Sequence, residues 1–148
     1  MIAWDVPLIP LVFLSSAIVS GAGLYLLIEA ACGRTPRVPV LAAVLALLAL
    51  SLALWARYLS SSGEPVFARA VECLTDGRAS LHIARGGYLL PFVLVALAAG
   101  LPVIATPALV TAGALMIVGQ LHAKARLILT AGSLRPITLA VRIPGRSA

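Results

Sequence analysis

The stretch from Trp4 to Ile28 constrains the fold of this chain more than any other. It carries no charged residue from Val6 onward, and at about 1.5 Å of rise per residue a helix of roughly 20 residues crosses the hydrocarbon core of a bilayer. Pro7 and Pro10 stand in its first turn, where a missing backbone N–H leaves no helical hydrogen bond unmade. The stretch therefore predicts a membrane-spanning helix.

Small residues recur along this predicted helix. Ser16, Ser20 and Gly23 are spaced i, i+4 and i+7, which places them on one face and lets another helix approach closely. We expect the helix to pack against a neighbour on this face.

The composition is that of a membrane protein. Hydrophobic residues make up 61% of the chain and charged residues 11%, and the mean hydropathy is +1.09, whereas charged residues are about a quarter of ordinary soluble domains. We expect no separate soluble catalytic domain and no cleaved signal peptide, because the first apolar run is too long and lacks a basic flank. The net charge of +6 favours contact with membrane lipid. Nucleic acid is not an expected partner, since no basic stripe alternates with exposed aromatic residues.

The apolar runs predict an all-α, polytopic membrane protein with four transmembrane helices in an up-down bundle spanning residues 1–132. The helices are expected at about 7–29, 39–58, 88–105 and 107–130. Trp55, Arg57 and Tyr58 are expected to anchor the second helix at the interface. Pro102 is expected to kink the last turn of the third helix, and Thr106 and Pro107 to begin the fourth.

Two segments lie outside the predicted spans. Between the second and third helices, residues 64–75 have apolar positions at helical spacing with charges elsewhere on the wheel, which predicts a short amphipathic helix. Residues 133–148 are expected to form a polar C-terminal tail.

Charge predicts the orientation. Four helices place both termini on one side, together with nine of the eleven Lys and Arg residues; the exceptions are Arg34 and Arg37. The positive-inside rule then predicts a multi-pass protein with both termini in the cytoplasm. Cys32 and Cys73 would lie on opposite faces, which excludes a disulfide within one chain.

Few residues suggest chemistry. Glu29 ends the first helix near Arg34 and Arg37, so we interpret it as an interfacial carboxylate; a proton-relay carboxylate is the alternative. His122 and Arg126 lie one turn apart on the fourth helix. They either contact headgroups at the cytoplasmic end or donate hydrogen bonds to a quinone carbonyl, with His122 taking up the proton.

Other site classes receive less support. His82 and His122 lie on the same predicted side, but at offset depths that do not favour a bis-histidine haem. The chain has no Cys/His cluster with zinc spacing, no phosphate-binding glycine loop and no nucleophile paired with a base. We therefore predict no catalytic residue and no metal ligand, and no cofactor bound by this chain alone.

Three motifs resemble a known family. The first is Trp-x-x-Pro-Leu-Ile-Pro-Leu-x-Phe-Leu-x-Ser-Ala-x-x-Ser-Gly, from Trp4 to Gly21. The second pairs Leu74-Thr-Asp-Gly77 with Gly100-Leu-Pro102, and the third runs from Gly119 through Arg126 to Ala131-Gly132. In this order they resemble the second four-helix bundle of the NrfD, or polysulfide-reductase, family of membrane anchors, which would make this chain a half-length member.

The resemblance implies a function. It implies a membrane-anchor subunit of a quinone-linked oxidoreductase complex in a bacterial or archaeal cytoplasmic membrane. The implied partners are a second membrane-anchor chain, a ferredoxin-like iron–sulfur subunit and a molybdopterin catalytic subunit, with quinone bound at an interface. Arg126 matches the family's arginine at the end of the last helix. His122, Lys124 and the segment from His82 to Arg85 depart from its pattern.

Two other functions stay open. One is a small transporter acting as a dimer of four-helix chains, which would need a charge near the membrane midplane; the five acidic residues all lie at or outside the span boundaries. The other is a membrane anchor that binds haem b.

Overall fold

The computed structural model describes residues 8–60 and 83–129. Every regular element in these two ranges is a helix: α1 (Ile9–Ala31), α2 (Val38–Ser60), α3 (Arg85–Gly100) and α4 (Ala105–Leu129). The prediction of an all-α protein is confirmed for this part of the chain. The predicted amphipathic helix 64–75 and the tail 133–148 lie outside the described residues.

Three of the helical segments are long and apolar enough to cross a membrane. They are α1, α2 and the segment Pro102–Leu129, which consists of α4 and the turn before it. The most apolar stretches of 18 residues within them have mean hydropathies of 2.1, 2.5 and 1.8. Helix α3 is apolar but shorter. The length and apolar composition of these helices are those of a multi-pass membrane protein.

A left-handed glycine ends α1. Gly33 has φ +68°, a conformation that costs glycine little because it has no Cβ. The N–H of Gly33 donates to the carbonyl of Ala30, and the N–H of Arg34 donates to the carbonyl of Glu29. This pair of bonds is a Schellman motif, which satisfies carbonyls that the end of a helix otherwise leaves unpaired.

The aromatic residues of α2 are placed differently from the prediction. Trp55 is 5% exposed and Tyr58 is fully buried, and their ring centroids lie 5.9 Å apart. They pack inside the bundle instead of anchoring the helix at the interface, because both fall on the face of α2 that carries Leu48 and Ser51. Arg57, on the exposed side, is the one residue of the three whose position agrees with the predicted anchor.

The link between α3 and α4 also differs from the prediction. Helix α3 ends at Gly100, Leu101 is non-helical, and Pro102–Ile104 forms a 3-10 turn before α4 begins at Ala105. A proline disfavours the helical conformation of the residue before it, and its ring clashes with the carbonyl four residues back. Pro102 therefore terminates α3 instead of kinking it, and the predicted third helix was extended five residues too far.

The four helices form a ring in which sequence neighbours pack side by side and α4 closes back onto α1. Two contacts between glycines bring α4 close to its neighbours. Gly23 of α1 packs on Gly113, and Gly87 of α3 packs on Gly119. The predicted packing role of Gly23 is confirmed.

Candidate functional site

Five polar side chains are buried where the helices meet. Ser15 and Ser16 come from α1, Ser51 from α2, Tyr88 from α3 and Gln120 from α4, and each is at most 7% exposed. At about 1.5 Å per residue, Ser16 lies roughly 10 Å from the start of α1 and Gln120 roughly 13 Å from the end of α4. This group, called here the polar cluster, therefore lies well inside the apolar part of the bundle.

Hydrogen bonds connect the polar cluster across helices. The Ser51 hydroxyl donates to Ser15 Oγ at 3.3 Å, and Ser15 Oγ donates to the carbonyl of Val12 at 3.0 Å. The Tyr88 hydroxyl donates to Gln120 Oε1 at 3.3 Å, and Ser51 also interacts with Tyr88. Because hydrocarbon offers no hydrogen-bond partner, such bonds hold neighbouring helices in a fixed register.

Backbone contact places Tyr88 next to Gln120. Gly87 packs directly on Gly119, and a Cβ atom on Gly119 would collide with the Cα of Gly87. The two backbones are therefore close at this point, and Tyr88 and Gln120, the next residues on the two helices, come within hydrogen-bond distance. Tyr88 also lies in a π-helical turn, Arg85–Leu89. Turns of this kind occur frequently at functional sites.

A small cavity adjoins the polar cluster. Ser16, Tyr88, Gln120 and Lys124 line it together with apolar side chains of α1, α2 and α4, and it has room for about one water molecule. Two buried atoms at this cavity, Ser16 Oγ and Gln120 Nε2, have no hydrogen-bond partner among the described residues. Both are polar groups that hydrocarbon cannot satisfy.

Lys124 brings a positive charge to the cavity. It is half-buried, and its Nζ atom lies 5.9 Å from the centroid of the Phe13 ring, within the range of a cation–π interaction. Since a charge inside a span is costly, lysines there extend toward the interface or serve a function. Lys124 lies one helical turn after Gln120, between Gln120 and the C-terminal end of α4.

The predicted pair His122 and Arg126 lies elsewhere. Both side chains are exposed on the outer face of α4, whereas Gln120, Ala123 and Leu127 are buried toward the other helices. The structure therefore places the pair together, as predicted, but apart from the cavity. His82 lies outside the described residues.

Glu29 lies at the opposite end of the bundle. Its carboxylate accepts a hydrogen bond from the Arg34 guanidinium, with 3.0 Å between Glu29 Oε1 and Arg34 Nη2, and the two side chains are 16% and 63% exposed. This ion pair agrees with the interpretation of Glu29 as an interfacial carboxylate.

Within residues 8–60 and 83–129, no three His, Cys, Asp or Glu side chains are grouped so that they could hold a metal ion. Cys32 is an exposed free thiol. Cys73, the other cysteine, lies outside the described residues, so the predicted separation of the two thiols remains a prediction.

The polar cluster was not predicted, although the sequence carries a signal for it. Ser51 is the one polar residue in the apolar run from Val38 to Ala56, and Gln120 is the only glutamine of the chain. An isolated polar residue inside an apolar run usually has a buried hydrogen-bond partner. The pattern cannot show which helices meet there, because that depends on the glycine contacts.

Comparison of the chain with protein-family models, with curated proteins and with solved structures finds no match.

Proposed function

We propose that this chain is a non-catalytic membrane-anchor subunit of a quinone-linked molybdopterin and iron–sulfur oxidoreductase complex. In this proposal it packs against a second membrane-anchor chain and docks an iron–sulfur electron-transfer subunit. The order of the three motifs described above supports the class of complex. The outer face of α2 is the structural observation that carries the proposal.

That outer face is a continuous stripe of alanine. Five exposed alanines alternate at spacings of four and three residues, on the side of α2 opposite to its buried face: Ala42, Ala46, Ala49, Ala53 and Ala56. They extend over about 21 Å at 1.5 Å per residue. The spacing is that of a helix–helix seam, and alanine lets two backbones approach closely.

The occupant that this stripe fits is a transmembrane helix of another anchor chain. Against lipid alone, small residues have no advantage over leucine, which is the commonest residue at the remaining positions of α2. Against a helix, they remove the bulk that would hold the two backbones apart. The resemblance to one half of a two-bundle anchor supports a different chain as the occupant.

The proposal includes four membrane crossings. Helix α3 has 16 residues and a length of about 24 Å, which is shorter than the hydrocarbon core of about 30 Å, so this span would require local thinning of the bilayer or extension of its flanking residues to the interface. With four crossings both termini share one side, which the positive-inside rule assigns to the cytoplasm.

Exposed arginines mark a docking end for the electron-transfer subunit. Arg57 near the end of α2, Arg85 at the start of α3 and Arg126 near the end of α4 are all exposed, and in the proposed topology these helix ends share one side. A partner with an acidic surface would be steered to this end. His122 lies one turn from Arg126 on the outer face, where a quinone held between this chain and a partner would meet both.

Paired variants of α2 test the proposal. The double variant Ala46→Leu, Ala53→Leu keeps the helix apolar but adds bulk to the stripe, so the second anchor chain should be lost when the tagged protein is purified in mild detergent. Ala43→Leu makes one such change at an exposed position outside the stripe and should retain the partner. Equal retention of the partner by both variants would contradict the proposed interface.

A further inference from the structure

We propose that the cavity beside the polar cluster is a binding site for one internal water molecule, which joins Ser16 of α1 to Gln120 of α4. This inference does not depend on the proposed function. It rests on two polar atoms that share one cavity and lack partners in the described part of the chain.

The first argument is chemical. Ser16 is 5% exposed and Gln120 is 1% exposed, so neither side chain is in contact with bulk solvent. Gln120 Oε1 accepts from Tyr88, which leaves the Nε2 donors directed elsewhere. If the amide were rotated, Nε2 would donate to Tyr88 and Oε1 would be left unpaired. In either orientation one end of the amide needs a partner, and water can both donate and accept.

The second argument is energetic. A buried polar group without a partner costs about 1–3 kcal/mol, whereas immobilising a bridging water costs about 0–2 kcal/mol. Two such groups at a cavity that fits one water molecule therefore favour occupation. An anion would satisfy the same donors and would be attracted by Lys124, but removing a charged ion from water costs several kcal/mol. Water is thus the favoured occupant.

The third argument concerns access. Lys124 is half-buried, lines the same cavity and has a long flexible side chain that extends along Phe13. Water can therefore reach Ser16 and Gln120 from the end of the bundle toward which Lys124 points. The cavity becomes an exchangeable hydrated site about 10 Å inside the helical bundle, by helical rise.

The sequence provides a specific reporter for this site. The chain contains one glutamine and no asparagine, so Gln120 gives the only side-chain carboxamide signals in a spectrum of the protein. Solid-state NMR of the full chain in lipid bilayers can measure magnetisation transfer from water to these two protons.

We expect strong transfer in the wild-type protein. Ser16→Val should reduce it severalfold, because the added methyl groups occupy the cavity and remove the hydroxyl. Ser20→Ala should leave it unchanged, since Ser20 bonds to its own helix. Lys124→Leu should slow deuterium exchange of the same protons severalfold.

Other results would overturn the proposal. A folded wild-type protein without water transfer to the Gln120 amide would show that the cavity is dry. A Gln120 signal that shifts when chloride is replaced by bromide or gluconate would show an anion in place of water. Unchanged transfer in Ser16→Val, in a variant with a wild-type backbone spectrum, would show that the water contacting Gln120 is not the proposed bridge.

Discussion

A Cβ atom on Gly113 of α4 would lie 2.6 Å from the carbonyl oxygen of Gly23 in α1, and one on Gly23 would lie 2.8 Å from the carbonyl oxygen of Gly113. The two helices are thus packed backbone against backbone at this point. In a bilayer, moving an apolar side chain from lipid into protein gains no hydrophobic free energy. Close van der Waals packing of this kind is therefore a main source of helix association.

Gly113→Ala should therefore destabilise the bundle by about 1–3 kcal/mol, as overpacking does in other well-packed interiors. The atoms in the way are backbone atoms, so α1 and α4 must separate. Reversible unfolding in mixed detergent micelles measures the effect. Gly21→Ala is the control, because a Cβ there meets nothing within 4 Å; equal stability of the two variants would contradict the packing described.

Gly119→Ala should weaken the contact between α3 and α4. A Cβ on Gly119 would collide with the Cα of Gly87, whereas one on Gly86, in the same turn of α3, has open space. We expect a lower melting temperature for Gly119→Ala than for Gly86→Ala, measured by tryptophan fluorescence in a Trp4→Phe background, where the buried Trp55 is the remaining tryptophan. A Gly86→Ala variant that melts at the lower temperature would be inconsistent with this contact.

Tyr88→Phe should destabilise the bundle by about 0.6 kcal/mol and by no more than about 1.7 kcal/mol, the average and the maximum measured for hydrogen bonds between membrane helices. The change removes the only donor to Gln120 Oε1 that the described residues supply. Tyr25→Phe is the matched control, because Tyr25 is 40% exposed on the outside of α1. Unfolding in mixed micelles compares the two, and a larger loss for Tyr25→Phe would refute the role given to Tyr88.

Glu29→Gln should change stability by less than about 1 kcal/mol, since the Glu29–Arg34 pair is largely exposed on its arginine side. It should also leave small-molecule efflux unchanged, because the carboxylate is paired at the end of a span. Unfolding and efflux assays check the two expectations. An efflux activity that depends on Glu29 would favour the transporter hypothesis.

His122→Leu and Arg126→Leu should leave bundle stability within about 0.5 kcal/mol of wild type, as expected for exposed positions. Under the proposed function, the same variants should lower quinone-dependent turnover of the complex. Parallel unfolding and activity measurements separate the two effects. Loss of stability without any effect on turnover would argue against a quinone contact.

Local rules predicted most of the described fold. Uninterrupted apolar length identified α1 and α2, because the backbone of a span must be paired within its own helix. The predicted bounds of 7–29 and 39–58 lie within two residues of those of α1 and α2. Pro102 was predicted to kink the last turn of α3, and this prediction was wrong. The clash of Pro102 with the preceding residue ends α3 at Gly100 instead.

The candidate site depended on tertiary contacts. Tyr88 and Gln120 are 32 residues apart, and their encounter follows from the fit of Gly87 against Gly119. A hydropathy pattern reports which residues are apolar but not which faces meet. For the same reason His122 and Arg126 could be assigned to one face of α4, but the sequence could not show that this face points away from the cavity.

The subunit composition of the purified protein tests the central claim most directly. Tagged chain extracted in mild detergent, with composition measured by quantitative mass spectrometry and iron–sulfur content by visible absorption, should contain a second polytopic chain and an iron–sulfur subunit in equal amounts. Deletion of the chain should abolish quinone-dependent activity of that complex. A chain that purifies alone, and whose deletion leaves quinone-dependent activity intact, would contradict the account.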